Sequence, residues 1–293
     1  MTPGQGAALR GIGWMALAGL LNTVTGLLVR QLSEDYSAME LAFFRNVVAL
    51  AVLLPWLLHK GVGSMRIRRL PLYALRTVFT YLGMVMMFYA LAHIPIAEVF
   101  ALQFTIPLLT IILAVVFLGQ TAGLRSWIGC LVGFAGALVI IQPGIIEISL
   151  ATMMVLGSVV LYSGSNTILK LLTETHSPVV ITIYSNLFML PLSLIPALFV
   201  WVTPSLEHVP WIIGLGLASG LGGLCFTLSV AAADARVVQP FQFLRMPLAA
   251  YLGFLVFGDV AGVWVWAGAV IIFASATYVG RLEAGSKPGG GLS

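Results

Sequence analysis

The sequence predicts an all-α integral membrane protein with ten transmembrane helices in two inverted five-helix repeats. Ten apolar stretches of about 20 residues fill the chain from Gly11 to Gly280, and each is long enough to cross a bilayer. Of the 293 residues 60% are hydrophobic and 8% charged, more apolar surface than a water-soluble globule of this length can bury. Displaced by 140 residues, the first five stretches fall on the last five without a gap.

Span one, 11–30, is preceded by Arg10 alone and followed by nine more of its kind, so it reads as an uncleaved helix and not as a signal peptide. Span two, 38–58, carries Glu40, Arg45 and Asn46 near its start and Trp56 at its end. Span three, 70–91, has Arg76 within snorkelling reach of the interface and places Tyr81, Met84 and Phe88 on one face, with Tyr89 beside them. Span four, 96–118, holds Gln103, Pro107 and Thr110 on one side, the proline near its middle. Span five, 124–142, has Gly129 and Gly133 one turn apart, a spacing that lets helices pack closely.

Span six, 150–171, shows a polar stripe of Ser158, Tyr162, Ser165 and Asn166, and the matching face of span one carries Asn22, Thr25 and Gly26. Span seven, 179–200, ends beside Trp201, and span eight, 210–231, starts at Trp211 and carries Gly216, Gly220 and Gly223. Span nine, 237–257, contains Gln239, Gln242, Arg245, Met246 and a second mid-span proline, Pro247. Span ten, 260–280, opens with Trp264 and Trp266, which read as interfacial anchors. Beyond Arg281 the chain is rich in Gly, Ser and Pro, and the longest interior break is His59 to Arg69, so the whole of 1–293 reads as a single membrane domain with repeats at 11–142 and 150–281.

Five is an odd number, so the second repeat enters the bilayer from the face opposite to the first. Lys and Arg support that arrangement. Counted in alternate connections, one side receives Arg10, Lys60, Arg66, Arg68, Arg69, Arg125, Lys170, Arg236, Arg281 and Lys287, and the other only Arg30. This bias predicts that both termini are cytoplasmic, and it explains the net charge of +4 without a nucleic-acid partner. At the 140 offset Asn46 meets Asn186, Gly83 meets Gly223, Pro107 meets Pro247 and Thr25 meets Ser165. Inverted halves suit a carrier that exposes a midplane site alternately to either face.

Polar side chains inside apolar spans cost free energy unless they face protein or a wet cavity. On that ground the expected cavity residues are Asn22, Thr25, Tyr81, Phe88, Tyr89, Gln103, Tyr162, Ser165, Asn166, Gln242 and Arg245, with Pro107 and Pro247 as hinges. Arg245 is the deepest of three arginines within spans and is suited either to a substrate carboxylate or to locking span nine to a carbonyl. Arg45 reads as a tie between helices or, second to that, as a substrate contact. Cys130 and Cys225 lie inside spans as small buried hydrophobes. His59, His93, His176 and His208 sit at span ends and far apart, so neither a metal site, a cofactor nor an enzyme's catalytic cluster is expected.

Certain segments are similar to a known family: Ala42-Phe43-Phe44-Arg45 in span two, Tyr89-Ala90-Leu91 through Ala97 joining spans three and four, Ile106-Pro107-Leu108 in span four, and Phe257-Gly258-Asp259 after span nine. The chain resembles the EamA-type transporters of the drug/metabolite transporter superfamily over essentially its whole length. It departs from the pattern at Phe117-Leu118-Gly119-Gln120, where Gln120 replaces the usual acidic residue. The resemblance implies a cavity ringed by spans one, three, four, six, eight and nine. Smaller drug exporters of the superfamily bind protons on a Glu in their first span, whereas residues 11–30 contain no Asp or Glu.

The expected function is therefore that of a secondary transporter exporting amino acids and related small metabolites across the bacterial inner membrane. The alternative is a carrier of S-adenosylmethionine-like or drug-like solutes of the same superfamily. The expected partners are a small-molecule substrate and the lipid bilayer, and a monomer suffices.

Overall fold

The computed structural model describes residues 3–60, 70–119, 123–142, 148–173, 178–232 and 239–285. Arg66, Arg68 and Arg69 of the basic cluster, Gln120, Arg236 and Lys287 fall outside these ranges. The described chain is helical: α1 (Pro3–Leu32), α2 (Ala38–Lys60), α3 (Leu70–His93), α4 (Ile96–Gln103), α5 (Ile106–Leu118), α6 (Leu124–Ile141), α7 (Leu150–Thr173), α8 (Pro178–Phe199), α9 (Val209–Ala232), a 3-10 turn (Gln239–Leu244), α10 (Arg245–Phe257) and α11 (Val263–Gly285). Among the described residues six stretches are long and apolar enough to cross a membrane by themselves: Leu9–Leu32, Leu70–His93, Ile96–Leu118, Leu124–Ile141, Leu150–Leu169 and Val209–Phe226.

Spans four and nine are each interrupted. Phe104 and Thr105 form a turn between α4 and α5, and the 3-10 segment precedes α10. Pro107 and Pro247 were expected to kink continuous helices, but both lie in the first turn of a half-helix, where a missing N–H breaks no helical bond. The bend is therefore a break just before each proline. α5 and α10 are 13 residues each, and both end on a left-handed glycine, Gly119 (φ 63°) and Gly258 (φ 71°). Only glycine takes that conformation without a Cβ clash.

Helices of one repeat pack against helices of the other and run in opposite directions, among them the equivalent pair α6 and α11. On α6 and α11, Gly129 lies against Val279, Gly133 against Ser275 and Gly136 against Gly268 and Ile272, so one index rises as the other falls. The same reversal relates α1 to α9 through Gly11 with Ser229, Asn22 with Gly222 and Leu28 with Gly214. It relates α3 to α7 through Phe79 with Gly164, Gly83 with Leu161 and Met86 with Gly157. Gly129, Gly133, Gly216 and Gly220 are packing positions, as their spacing suggested, Gly216 meeting Val48 and Gly220 meeting Ala49, whereas a Cβ at Gly223 would meet nothing within 4 Å. Cys130 and Cys225 are buried.

Links that follow spans one, seven and nine meet at one end of the bundle. Tyr36 Oη and His208 Nδ1 share a hydrogen bond of 3.0 Å, and the Ser205 N–H donates to Tyr36 Oη at 3.2 Å. Ser37 caps α2 by accepting the Glu40 N–H at 3.3 Å, while the Glu40 carboxylate reaches across to the Val202 N–H at 2.8 Å. Arg30, at the end of α1, pairs with Asp259 and lies 4.8 Å over the Phe257 ring. Phe88 and Leu91 of α3, Phe100 and Leu102 of α4 and Met246 of α10 belong to one buried apolar core. The outer surface is apolar too, with Phe117 and Phe199 74% and 86% exposed, an arrangement suited to lipid rather than water.

Candidate substrate cavity

A cavity of about 280 Å³ lies among α1, α2, α3, α4, α7, α9 and the starts of α5 and α10. The first repeat supplies Asn22, Thr25 and Gly26 from α1, Arg45 from α2, Thr80, Met84, Met87, Phe88 and Leu91 from α3, Phe100 and Gln103 from α4, and Ile106 from α5. The second supplies Tyr162 and Asn166 from α7, Ser219 from α9 and Arg245 from α10. Asn22 and Tyr162 are counterparts at the 140 offset, as are Gly26 and Asn166, so both repeats turn the same helix face inward.

Several wall residues spend their donors on their own helix. Asn22 Nδ2 donates to the Ala18 carbonyl at 2.9 Å and Thr25 Oγ1 to Leu21 at 2.9 Å, each one turn back. The arginines are held differently. Arg245 opens α10, so the break in span nine sets its position; Nη2 donates to Gln103 Oε1 at 3.3 Å. Its guanidinium carbon lies 4.3 Å from the Phe100 ring centre and 5.6 Å from that of Phe104, a cation–π seat. Arg45 Nε donates to Ser219 Oγ at 2.8 Å, and Nη1 contacts the Met84 sulfur. Arg45 is thus a tie between helices, as read from the sequence, and also part of the wall. Among the described residues no carboxylate lines the cavity, and no group of three metal-ligating side chains comes together.

Of the expected cavity residues, Asn22, Thr25, Phe88, Gln103, Tyr162, Asn166 and Arg245 are on the wall. Four lie elsewhere. Ser165 faces α3, where its hydroxyl and that of Thr80 are 2.7 Å apart, so it sits behind a wall residue. Tyr81 is buried in the helix packing, Tyr89 stacks on His93 with centroids 4.2 Å apart, and Gln242 is half-buried in the 3-10 turn. Span two, absent from the expected ring, contributes Arg45. Thr80, Met87 and Ser219 also carry wall surface. Each is one small polar or apolar residue among many, and only a second helix's position distinguishes it. Arg76, expected to snorkel, instead donates to Ser185 on α8.

Comparison with known proteins bears on this geometry. The EamA-like transporter family pattern matches residues 9–142 and again 149–281, the two repeats. A riboflavin transporter of Vibrio cholerae is 30% identical over 281 residues, covering 94% of each chain. A riboflavin transporter of Rhizobium johnstonii is 32% identical over 281 residues, covering 94% of this chain and 92% of the relative. An S-adenosylmethionine uptake transporter of Rickettsia bellii is 24% identical over 269 residues, covering 92% of each.

Proposed function

The chain belongs to the EamA-like transporter family, and from that membership we propose that it is a secondary carrier working by alternating access through the cavity between its repeats. In this reading all ten spans cross the bacterial inner membrane, the repeats are inverted, and both termini are cytoplasmic. The antiparallel packing of α6 on α11 supports inversion, and the meeting of the 33–37 and 200–208 links supports an even count of crossings between them. A site walled by both repeats, next to two broken helices, suits a solute that must be released to either face.

For the solute we propose a flavin-like heteroaromatic metabolite. The observation that carries this choice is the pairing of two arginines with aromatic and Met side chains in a cavity with no acidic residue among the described wall residues. An uncharged ring with acceptor atoms along one edge matches it, and riboflavin is named for the two relatives near 30% identity. An exported amino acid would satisfy an arginine with its carboxylate, but its ammonium would meet no carboxylate among the described wall residues. S-adenosylmethionine brings a net positive charge to the same wall.

Liposomes containing the purified protein, loaded or challenged with labelled riboflavin, a set of amino acids and S-adenosylmethionine, test this choice. Saturable riboflavin flux is expected. Flux of an amino acid with none of riboflavin would restore the amino-acid reading.

A further inference from the structure

Around Arg245 the cavity wall holds unmatched donors. Gln103 is 6% exposed, and because its Oε1 accepts from Arg245, the other end of the amide is a donor. That donor, Nε2, is buried without a partner, and so is Arg245 Nε. Arg45 reaches only neutral groups, the Ser219 hydroxyl and the Met84 sulfur. Two guanidiniums and a spare amide N–H therefore border one space, with no carboxylate among the described wall residues. Ile106 and Arg245, the first residues of α5 and α10, also bring the positive ends of two half-helices to the wall. Such groups are costly in a bilayer until an acceptor arrives. Phe100 covers a face of the Arg245 guanidinium, and guanidinium donors lie in its plane.

Resting on the carrier reading above, we infer that Arg45 of the first repeat and Arg245 of the second, with Gln103, form a donor clamp for a planar acceptor edge on the solute. An imide, a carboxylate or a phosphate presents such an edge, and a solute of net positive charge is refused. The aromatic and Met side chains of the wall take the solute's apolar body, while the clamp selects its edge. Because the jaws come from different repeats, the solute spans them, and the acceptor joins the two halves.

Equilibrium binding to the purified full chain in detergent tests the clamp with four probes: riboflavin (uncharged imide edge), flavin mononucleotide (the same ring with a phosphate), glutamate (carboxylates without a ring) and S-adenosylmethionine (a cation). At least one acceptor-edge probe should bind about tenfold or more tightly than S-adenosylmethionine, and Arg45→Gln and Arg245→Gln should each weaken it by about tenfold or more and narrow that gap. Arg245→Lys, which keeps the charge without the planar fork, should recover only part of the loss. A purely structural role would lower the fraction of active protein and leave the affinity gap between the probes unchanged. Equal binding of S-adenosylmethionine by the unaltered chain, or an undiminished gap between the probes in both Gln variants, overturns the clamp. Binding of glutamate instead of the flavins, with the arginine dependence intact, sinks the flavin reading and leaves the clamp standing; no saturable binding of any probe sinks both.

Discussion

The side-chain amide of Asn46 donates to the backbone carbonyl of Asn186, its own counterpart in the other repeat, at 3.1 Å and at a sequence separation of 140. Asn46 is wholly buried, so this bond sits where α2 of one repeat meets α8 of the other. Replacing Asn46 with Ala leaves the Asn186 carbonyl without that donor. A loss of about 1–2 kcal/mol in unfolding free energy is expected, measured by thermal or denaturant unfolding in detergent, with solute flux per folded molecule unchanged. A stability equal to the unaltered protein's would mean that the bond is not formed.

The glycine seam between α6 and α11 gives a second expectation. A Cβ at Gly136 would lie 2.9 Å from the Gly268 carbonyl oxygen and 2.9 Å from Ile272, and backbone cannot rotate away as a side chain can. Gly136→Val should cost roughly 1–3 kcal/mol by overpacking. At Gly13 a Cβ meets nothing within 4 Å, so Gly13→Ala should be neutral or stabilise by up to about 1 kcal/mol through helix propensity. Unfolding midpoints of the two variants in the same detergent compare them directly.

Much of this was legible beforehand, for reasons that can be assigned to particular residues. Asn22, Tyr162 and Asn166 stood out because a polar group in an apolar span has few places to go, and all three reached the wall. Ser165 did not, although it adjoins Asn166, because one residue along a helix is a rotation of about 100° and turns its hydroxyl to Thr80. Phe88 and Tyr89 parted in the same way. The break in span four was hidden because a two-residue turn of Phe104 and Thr105 barely lowers the hydropathy of the run, and in span nine Gln239 and Gln242 of the 3-10 turn look from the sequence like polar side chains on a helix face. The wall position of Arg45 depends on where α9 places Ser219, which no pattern within span two records.

Arg30 and Asp259, 21% and 12% exposed, pair at the end of the bundle that carries the 33–37 link. Asp259→Asn should lower stability by about 1–2 kcal/mol, and the exchange of both residues, Arg30→Asp with Asp259→Arg, should recover part of it. Chemical unfolding of the single and double variants measures the coupling; purely additive losses would show that the two charges do not interact.

Crossing number is open to direct measurement. In a background with Cys130 and Cys225 replaced by Ala, single cysteines at Asp35 and Ser205 should react with a membrane-impermeant thiol reagent added to intact cells. A cysteine at Arg10 should react only after the membrane is opened. Asp35 is exposed and Ser205 lies in the link that docks on Tyr36, so both sites are expected on the periplasmic face. Labelling of positions 35 and 205 from opposite faces would refute the ten-span arrangement.

Gly136 and Gly268 bring two main chains so close that not even a methyl group fits between α6 and α11. Helices locked backbone to backbone can roll but cannot part without opening a void in hydrocarbon. In the carrier reading proposed above, that pair would serve as the spine of a book, with the segments farthest from it as the pages and the cavity between them.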